Sequence, residues 1–172
     1  TFVVTANPEI VMAANENPEL KQYIEKATYV TADGIGVVKA AKILGDELPG
    51  RVTGFDTVMA LFGAKKPMKV FLLGAQQDTL DKTVANINRD YPHIDIVGAN
   101  NGFFDWNNNT IAEDMLAAKP DLILVALGVP RQEKWIANHI DAFEHGVFIG
   151  VGGTFDGIAG TMKRAPEIWQ KL

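Results

Sequence analysis

Asp33 and Arg51 are the residues whose types and positions most directly suggest chemistry. Asp33 ends a strand-like segment and precedes Gly34. Its carboxylate can therefore act as a general base at a ligand-binding edge, or cap the helix that follows, which is the more frequent role for this spacing. Arg51 lies in the turn-rich segment 50–54, where a guanidinium clamps a phosphate group or is a solvated loop charge.

A second candidate site is the segment 128–135, Gly-Val-Pro-Arg-Gln-Glu-Lys-Trp. It follows an apolar run and leads into a helical pattern that starts at Pro130, so a buried strand is predicted to end in a glycine turn before a helix. The start of such a helix presents free N–H groups and a positive dipole end, and Arg131, Gln132 and Lys134 add donors. The segment either holds an anion or forms a polar strand–helix turn.

Other candidates also follow predicted strands. Asn7 is placed to cap a helix that has Pro8 in its first turn, or to bind a ligand through its amide. Glycines at 152 and 153 allow a ligand to approach the backbone, or form a tight turn. Asp156 either caps a short helix or accepts a hydrogen bond from a base or ribose. The strand-end candidates are Thr5, Asn7, Gly74, Gly152, Gly153 and Asp156.

Several familiar motifs do not fit. The segment 34–39 nearly matches a dinucleotide fingerprint, but Lys39 occupies the position that needs glycine or alanine, and Asp33 would repel a pyrophosphate. The segment 45–52 has the glycine spacing of a P-loop without its lysine and hydroxyl residue. No Asp-x-Asp pair is present to hold a metal on a diphosphate, and the three histidines lack metal-ligand spacing. No cofactor is predicted.

The elements that position these residues alternate between strands and helices. The strands are continuous apolar runs, which is typical of a parallel sheet covered on both faces. We predict one doubly wound, Rossmann-like α/β domain over residues 1–172, with ligands bound at the carboxyl ends of the strands. The predicted strands are 2–6, 28–32, 68–74, 93–98, 121–127 and 146–151; the helices start near residues 8, 18, 35, 56, 79, 111, 130 and 167.

Composition excludes several classes of protein. The net charge of −5 argues against a non-specific nucleic-acid binder, which needs a basic surface. The absence of cysteine excludes disulfides and thiol chemistry. No apolar run is long enough to cross a bilayer, and no signal peptide is predicted at the N-terminus. We expect a protein of the cytoplasm.

Taken together, the segments resemble the WecG/TagA/CpsF family of glycosyltransferases, in family order along almost the whole chain. Each segment is a weak signal alone, whereas the ordered set is specific. The segments that carry the resemblance are 5–9, 32–36, 51–56, 71–75, 91–92, 96–98, 101–104, 127–135, 150–155, 159–160 and 164–166.

The resemblance implies transfer of N-acetylmannosamine from a UDP-sugar to polyprenyl-diphosphate-linked N-acetylglucosamine, a step of wall teichoic acid synthesis. It also implies inversion at the anomeric carbon without a metal. In this interpretation Asp33 is the base that takes the acceptor proton, and Arg51 and the donors around Arg131 stabilise the leaving diphosphate. Thr5, Asn7 and Gln132 bind the sugar or diphosphate, while Gly74, Gly152, Gly153 and Asp156 shape the nucleotide pocket.

The chain departs from the family at its C-terminus. Family members continue past residue 169 into a basic tail, which the resemblance implies adds arginines to the site and contacts the inner face of the cell membrane. We therefore expect a chain that lacks this tail. Family members are often homo-oligomers, but the sequence indicates no interface. Two alternatives remain open: a non-catalytic nucleotide-sugar-binding module, and an NAD-dependent oxidoreductase, which the poor fingerprint disfavours.

Overall fold

The computed structural model describes residues 1–160, and these form one six-stranded parallel sheet with helices on both faces. The strand order is β2-β1-β6-β5-β3-β4. The strands are β1 (Phe2–Ala6), β2 (Tyr29–Ala32), β3 (Met68–Gly74), β4 (Ile94–Asn100), β5 (Leu122–Ala126) and β6 (Val147–Gly150). Since every pair is parallel, all the carboxyl ends lie at one edge. The predicted doubly wound fold is confirmed.

Seven α-helices connect the strands in the described part of the chain, and an eighth follows β6. They are α1 (Pro8–Glu16), α2 (Pro18–Glu25), α3 (Ile35–Ile43), α4 (Gly54–Gly63), α5 (Gln77–Asp90), α6 (Ile111–Ala118), α7 (Arg131–His139) and α8 (Thr154–Ala159). Helices α1, α2, α6 and α7 pack on one face of the sheet, and α4, α5 and α8 on the other. No residue of α3 is fully buried. None of these helices is long and apolar enough to cross a bilayer.

The central strands send alternate side chains into two separate cores. In β5, Ile123 and Val125 pack in the core beneath α6 and α7, whereas Leu122 and Leu124 pack beneath α4 and α5. Successive side chains of a strand point to opposite faces, so a strand covered on both faces is apolar at every position. This is why the strands appear in the sequence as continuous apolar runs.

Local capping sets the starts of several helices, and the sequence predicts the caps of α1 and α2. The side-chain oxygen of Asn7 accepts from the Ile10 N–H at 2.9 Å, and Asn17 caps α2 in the same way. Thr53 caps α4 by accepting from the Asp56 N–H at 2.9 Å. Helix α7 starts one residue later than predicted, at Arg131, and a 3₁₀ turn replaces its expected last part at Ile140–Ala142. The predicted loop at 161–166 and the helix from residue 167 lie outside the described residues.

Candidate functional site

A cleft of about 780 Å³ opens at the carboxyl edge of the sheet. This volume lies within the range of about 300–1,000 Å³ that is usual for small-molecule sites. Parallel sheets bind ligands at this edge because the connections that follow the strands meet there. The predicted site residues that line the cleft are Thr5, Asn7, Asp33, Arg131, Gln132, Gly152, Gly153 and Asp156. The sheet therefore brings together residues that are up to 151 positions apart, from Thr5 to Asp156.

Asp33 follows β2 and lines the cleft as a partly buried carboxylate. Its Oδ2 accepts a hydrogen bond from the Gly54 N–H at 3.1 Å, in the first turn of α4. The alternative role of Asp33, as the cap of the helix immediately after it, is excluded because α3 has no side-chain cap. Burial raises the pKa of Asp33 above the usual aspartate range, although the Gly54 N–H and the charge of Arg51 act in the opposite direction. A raised pKa suits a group that must take up a proton.

Arg51 is not among the residues that line the cleft. Its guanidinium Nη2 lies 3.7 Å from Oδ2 of Asp56, at the start of α4. The positive charge of Arg51 lowers the pKa of Asp33, and the negative charge of Asp56 raises it. In the described structure, Arg51 thus acts on the candidate base through its electric field.

Thr5 and Asn7 are held by the protein itself. The Thr5 hydroxyl donates to the Gly150 carbonyl oxygen at 2.7 Å and so ties the end of β1 to the end of β6. Asn7 uses its side-chain oxygen as the cap of α1, which leaves its amide NH₂ as the group that can donate into the cleft. Both residues therefore keep a fixed orientation at the edge of the sheet.

Gly74 does not line the cleft and has a different structural role. Its φ of +132° is unfavourable for residues with a side chain, and a Cβ at this position would lie 2.2 Å from the carbonyl oxygen of Ala126. The glycine is required by the close approach of β3 and β5. The residues of this turn that do line the cleft are Ala75, Gln76 and Thr79.

The start of α7 offers fewer free donors than the sequence predicts. Pro130 has no N–H, and the Gln132 N–H donates to the Gly128 carbonyl oxygen at 2.8 Å. Lys134 does not line the cleft, because its ammonium group is directed to Glu19 of α2, 3.9 Å away. Arg131 does line the cleft, and its guanidinium donates to the Gly102 carbonyl oxygen at 3.3 Å.

Gln132 and Glu133 are buried polar residues, only 2% and 1% exposed. The Gln132 amide donates to Oε1 of Glu133 at 2.9 Å and accepts from the Gly152 N–H at 3.2 Å. Burial raises the pKa of Glu133, and its hydrogen bond from Gln132 acts against that shift. Oε2 of Glu133 has no hydrogen-bond partner among residues 1–160.

The charged side chains that line the cleft are predominantly acidic. They comprise the carboxylates of Glu9, Asp33 and Asp156 and the guanidinium of Arg131. The described part of the chain also contains no group of three or more His, Asp or Glu side chains placed to hold a metal ion. Positive charge to balance a bound diphosphate is therefore scarce within the described cleft.

Sequence reasoning missed several residues of the cleft. Glu9, Gln76 and Thr79 lie in the first turns after β1 and β3, and the rule that pointed to Asn7 and Gly74 would also have found them. Phe103 lines the cleft although its side chain is 73% exposed. In the near-fingerprint at 34–39, a Cβ on Gly36 would lie 3.1 Å from Pro8 of α1.

The sequence matches the model of the glycosyl transferase WecG/TagA/CpsF family over residues 1–172. It is 36% identical over 170 residues to a protein of Bacillus spizizenii strain W23, covering 98% of this chain and 66% of that relative. It is 37% identical over 167 residues to a Bacillus subtilis strain 168 protein, covering 96% and 65%, and 38% identical over 173 residues to a Staphylococcus aureus NCTC 8325 protein, covering 99% and 68%. Each is named N-acetylglucosaminyldiphosphoundecaprenol N-acetyl-beta-D-mannosaminyltransferase. The chain thus spans about two thirds of the length of these curated relatives.

Proposed function

Because the chain belongs to the WecG/TagA/CpsF family of glycosyltransferases, we propose that it carries the site of an N-acetylmannosaminyltransferase. The donor is UDP-N-acetylmannosamine, and the acceptor is N-acetylglucosamine linked to a polyprenyl diphosphate. The names of the relatives support the transferred sugar and the lipid-linked acceptor. The reaction inverts the anomeric carbon and needs no metal, and it takes place at the inner face of the cell membrane.

The observation that carries this proposal is the position of Asp33. A partly buried carboxylate with a raised pKa lines a cleft at the ligand-binding edge of the sheet. As the acceptor hydroxyl attacks the anomeric carbon, its proton passes to the Asp33 carboxylate. The new glycosidic bond forms while the bond from that carbon to the diphosphate breaks, and UDP leaves as an anion. A single base suffices for such a displacement.

The remaining lining residues bind and orient the substrates. Arg131 is placed nearest the leaving diphosphate, since its guanidinium is the cation that lines the described cleft. The Asn7 amide and the β6–α8 turn at Gly152 and Gly153 contact the sugar or the diphosphate, and Asp156 contacts the nucleoside. Arg51 supports the reaction by holding Asp33 in its charged form.

Asp33→Asn tests the proposal. The amide keeps an oxygen that can accept from the Gly54 N–H, but it cannot take up a proton. We expect the rate of transfer from UDP-N-acetylmannosamine to the lipid-linked acceptor to fall by about 10²- to 10⁴-fold, with UDP affinity by calorimetry nearly unchanged. Transfer at the wild-type rate by the folded variant would exclude Asp33 as the base. UDP binding without turnover by the wild-type protein would instead favour a nucleotide-sugar-binding module.

A further inference from the structure

Glu133 is a buried carboxyl that the proposed reaction does not use. It lies in the first turn of α7, is 1% exposed, and is not among the residues that line the cleft. The neighbouring cations of α7 are engaged elsewhere: Lys134 is directed to Glu19, and Arg131 donates to the Gly102 carbonyl oxygen. A charged carboxyl group is costly to bury unless it is paired and hydrogen-bonded. Oε1 of Glu133 accepts a hydrogen bond from the Gln132 amide at 2.9 Å.

The contacts of Gln132 define the orientation of its amide. An amide side chain can be turned by 180° with little change in shape, so its partners decide which end carries the oxygen. The Gly152 N–H can only donate and therefore selects the oxygen end of Gln132. Oε1 of Glu133 accepts from the nitrogen end. Both hydrogen bonds therefore require the same orientation of the Gln132 amide, with its oxygen toward Gly152 and its nitrogen toward Glu133.

The end of β6 leaves room for the Gln132 amide. A Cβ on Gly150 would lie 3.1 Å from Nε2 of Gln132, so the absence of a side chain at the end of β6 makes room for the amide. On the other side of this strand end, the Thr5 hydroxyl donates to the Gly150 carbonyl oxygen at 2.7 Å. The β6–α8 turn is thus held from β1 by Thr5 and from α7 by Gln132.

We propose that Glu133 is a positioning residue of the donor site: it orients the Gln132 amide, which holds the β6–α8 turn at Gly152 as one wall of the cleft. The effect on substrate rests on the proposed function, whereas the effect on the turn does not. A role confined to stabilising the first turn of α7 is the competing explanation, because a carboxylate there also interacts favourably with the helix dipole.

The test compares Glu133→Leu, which removes the acceptor oxygen, with Glu133→Gln, which retains one. Hydrogen exchange of the Gly152 amide is measured by NMR on the ligand-free protein. We expect exchange to become at least about tenfold faster in Glu133→Leu, the factor that corresponds to loss of about 1.4 kcal/mol of protection. In Glu133→Gln, exchange should stay within about twofold of wild type.

Ile136→Val is the matched control for a general loss of stability in α7, since Ile136 is a buried apolar residue of the same helix and its side chain cannot hydrogen-bond to Gln132. It should weaken the protein without a selective change at Gly152. Gln132→Met removes the other partner of the Gln132–Glu133 hydrogen bond and should also make exchange of the Gly152 amide faster. The double variant with Glu133→Leu should show no further increase in that rate. Gln132→Met also provides the test if Glu133→Leu does not fold.

The kinetic measurement uses UDP-N-acetylmannosamine as the varied substrate. Glu133→Leu should raise KM for the donor about tenfold with a smaller change in kcat, and Glu133→Gln should restore KM. Unchanged Gly152 exchange in folded Glu133→Leu and Gln132→Met would overturn the proposal, as would equal effects of Glu133→Gln and Glu133→Leu. Failure of the wild-type protein to bind UDP would overturn the proposed function and leave the exchange result intact.

Discussion

At the residue scale, the candidate site depends on a carboxylate whose proton affinity is set by its neighbours. Burial raises the pKa of Asp33, and Asp56 acts in the same direction, whereas the Gly54 N–H and Arg51 lower it. Arg51 and Asp56 interact with each other at 3.7 Å, so each also limits the influence of the other on Asp33. The charge state of Asp33 can therefore be adjusted by residues that do not line the cleft.

Substitution of this pair should shift the pH profile of kcat/KM in opposite directions. Arg51→Ala removes a charge that favours the carboxylate, so the pKa of Asp33 rises and the acidic limb of the profile moves to higher pH. Asp56→Asn removes a repelling charge and should move the limb to lower pH. Arg51→Lys, which retains the charge, is the control. Shifts of the same sign in Arg51→Ala and Asp56→Asn would contradict this account.

Phe103 is an exposed aromatic ring on a constrained backbone at the cleft. Its N–H donates to the Asn101 side chain at 2.8 Å, and the Gly102 N–H donates to the Ala75 carbonyl oxygen at 2.9 Å. Under the proposed function, an exposed ring on such a backbone is suited to stack on the uracil of UDP.

Phe103→Ala should weaken UDP binding by at least about fivefold, because stacking on a base contributes about 1–3 kcal/mol. Phe103→Trp should retain the affinity. Calorimetry with UDP and with inorganic pyrophosphate distinguishes a base contact from a phosphate contact. An equal loss of affinity for both ligands would assign the ring to the diphosphate or to general packing. Thermal stability should change little, since the side chain is 73% exposed.

At the element scale, the spacing of the strands decides which glycines are structural. At Gly74, the carbonyl oxygen of Ala126 would lie only 2.2 Å from an added Cβ. This contact is with backbone that is paired within the sheet, so it cannot move aside without disturbing β3 and β5. At Gly63, the end of α4, an added Cβ would meet no neighbouring atom within 4 Å.

Gly74→Ala should therefore destabilise the protein strongly, by about 3 kcal/mol or more, through overpacking and an unfavourable φ. Gly63→Ala should change the stability by no more than about 1 kcal/mol, and in the stabilising direction, because alanine is the better helix former. Denaturant unfolding of both variants measures the difference. Similar stability of the two variants would mean that β3 and β5 adjust more freely than their spacing indicates.

At the scale of the whole molecule, the carboxyl ends and the amino ends of the parallel strands have different roles. The carboxyl edge holds the cleft, while the opposite edge holds a hydrogen-bonded aspartate. Oδ2 of Asp121 accepts from the Lys69 N–H at 2.9 Å, and Oδ1 contacts Nε2 of His145 at 2.8 Å. The Lys69 N–H and His145 hold the pKa of Asp121 below its usual range. Asp121 ties the starts of β3 and β5 together.

Asp121→Ala should lower the free energy of unfolding by about 1 kcal/mol at pH 7 without changing UDP affinity. A carboxyl with a lowered folded-state pKa contributes stability above its unfolded-state pKa and loses it as pH falls through the folded-state value. The difference between wild type and variant should therefore shrink in acid. Urea unfolding from about pH 3 to pH 7 measures it. A reduced UDP affinity would show that the two edges are coupled.

Much of the architecture was determined by the sequence alone. Continuous apolar runs such as β3 indicated strands buried on both faces, and capping residues such as Asn7 and Asn17 marked helix starts, because both signals depend on neighbouring residues. A parallel sheet then required that the residues following each strand meet at one edge. This was enough to predict that Asp33, Arg131 and Gly152 lie together, and they line one cleft.

Only the tertiary structure decided what each of these residues contacts. Asp33 accepts from α4 instead of the helix that follows it, Gly74 makes room for Ala126, and Gln132 is held between Glu133 and Gly152. The order of residues in the sequence does not give the spatial distances between elements that are far apart along the chain. Burial, the pKa of a carboxyl and the partner of an amide all depend on those distances, and so they appear only when the elements are packed together.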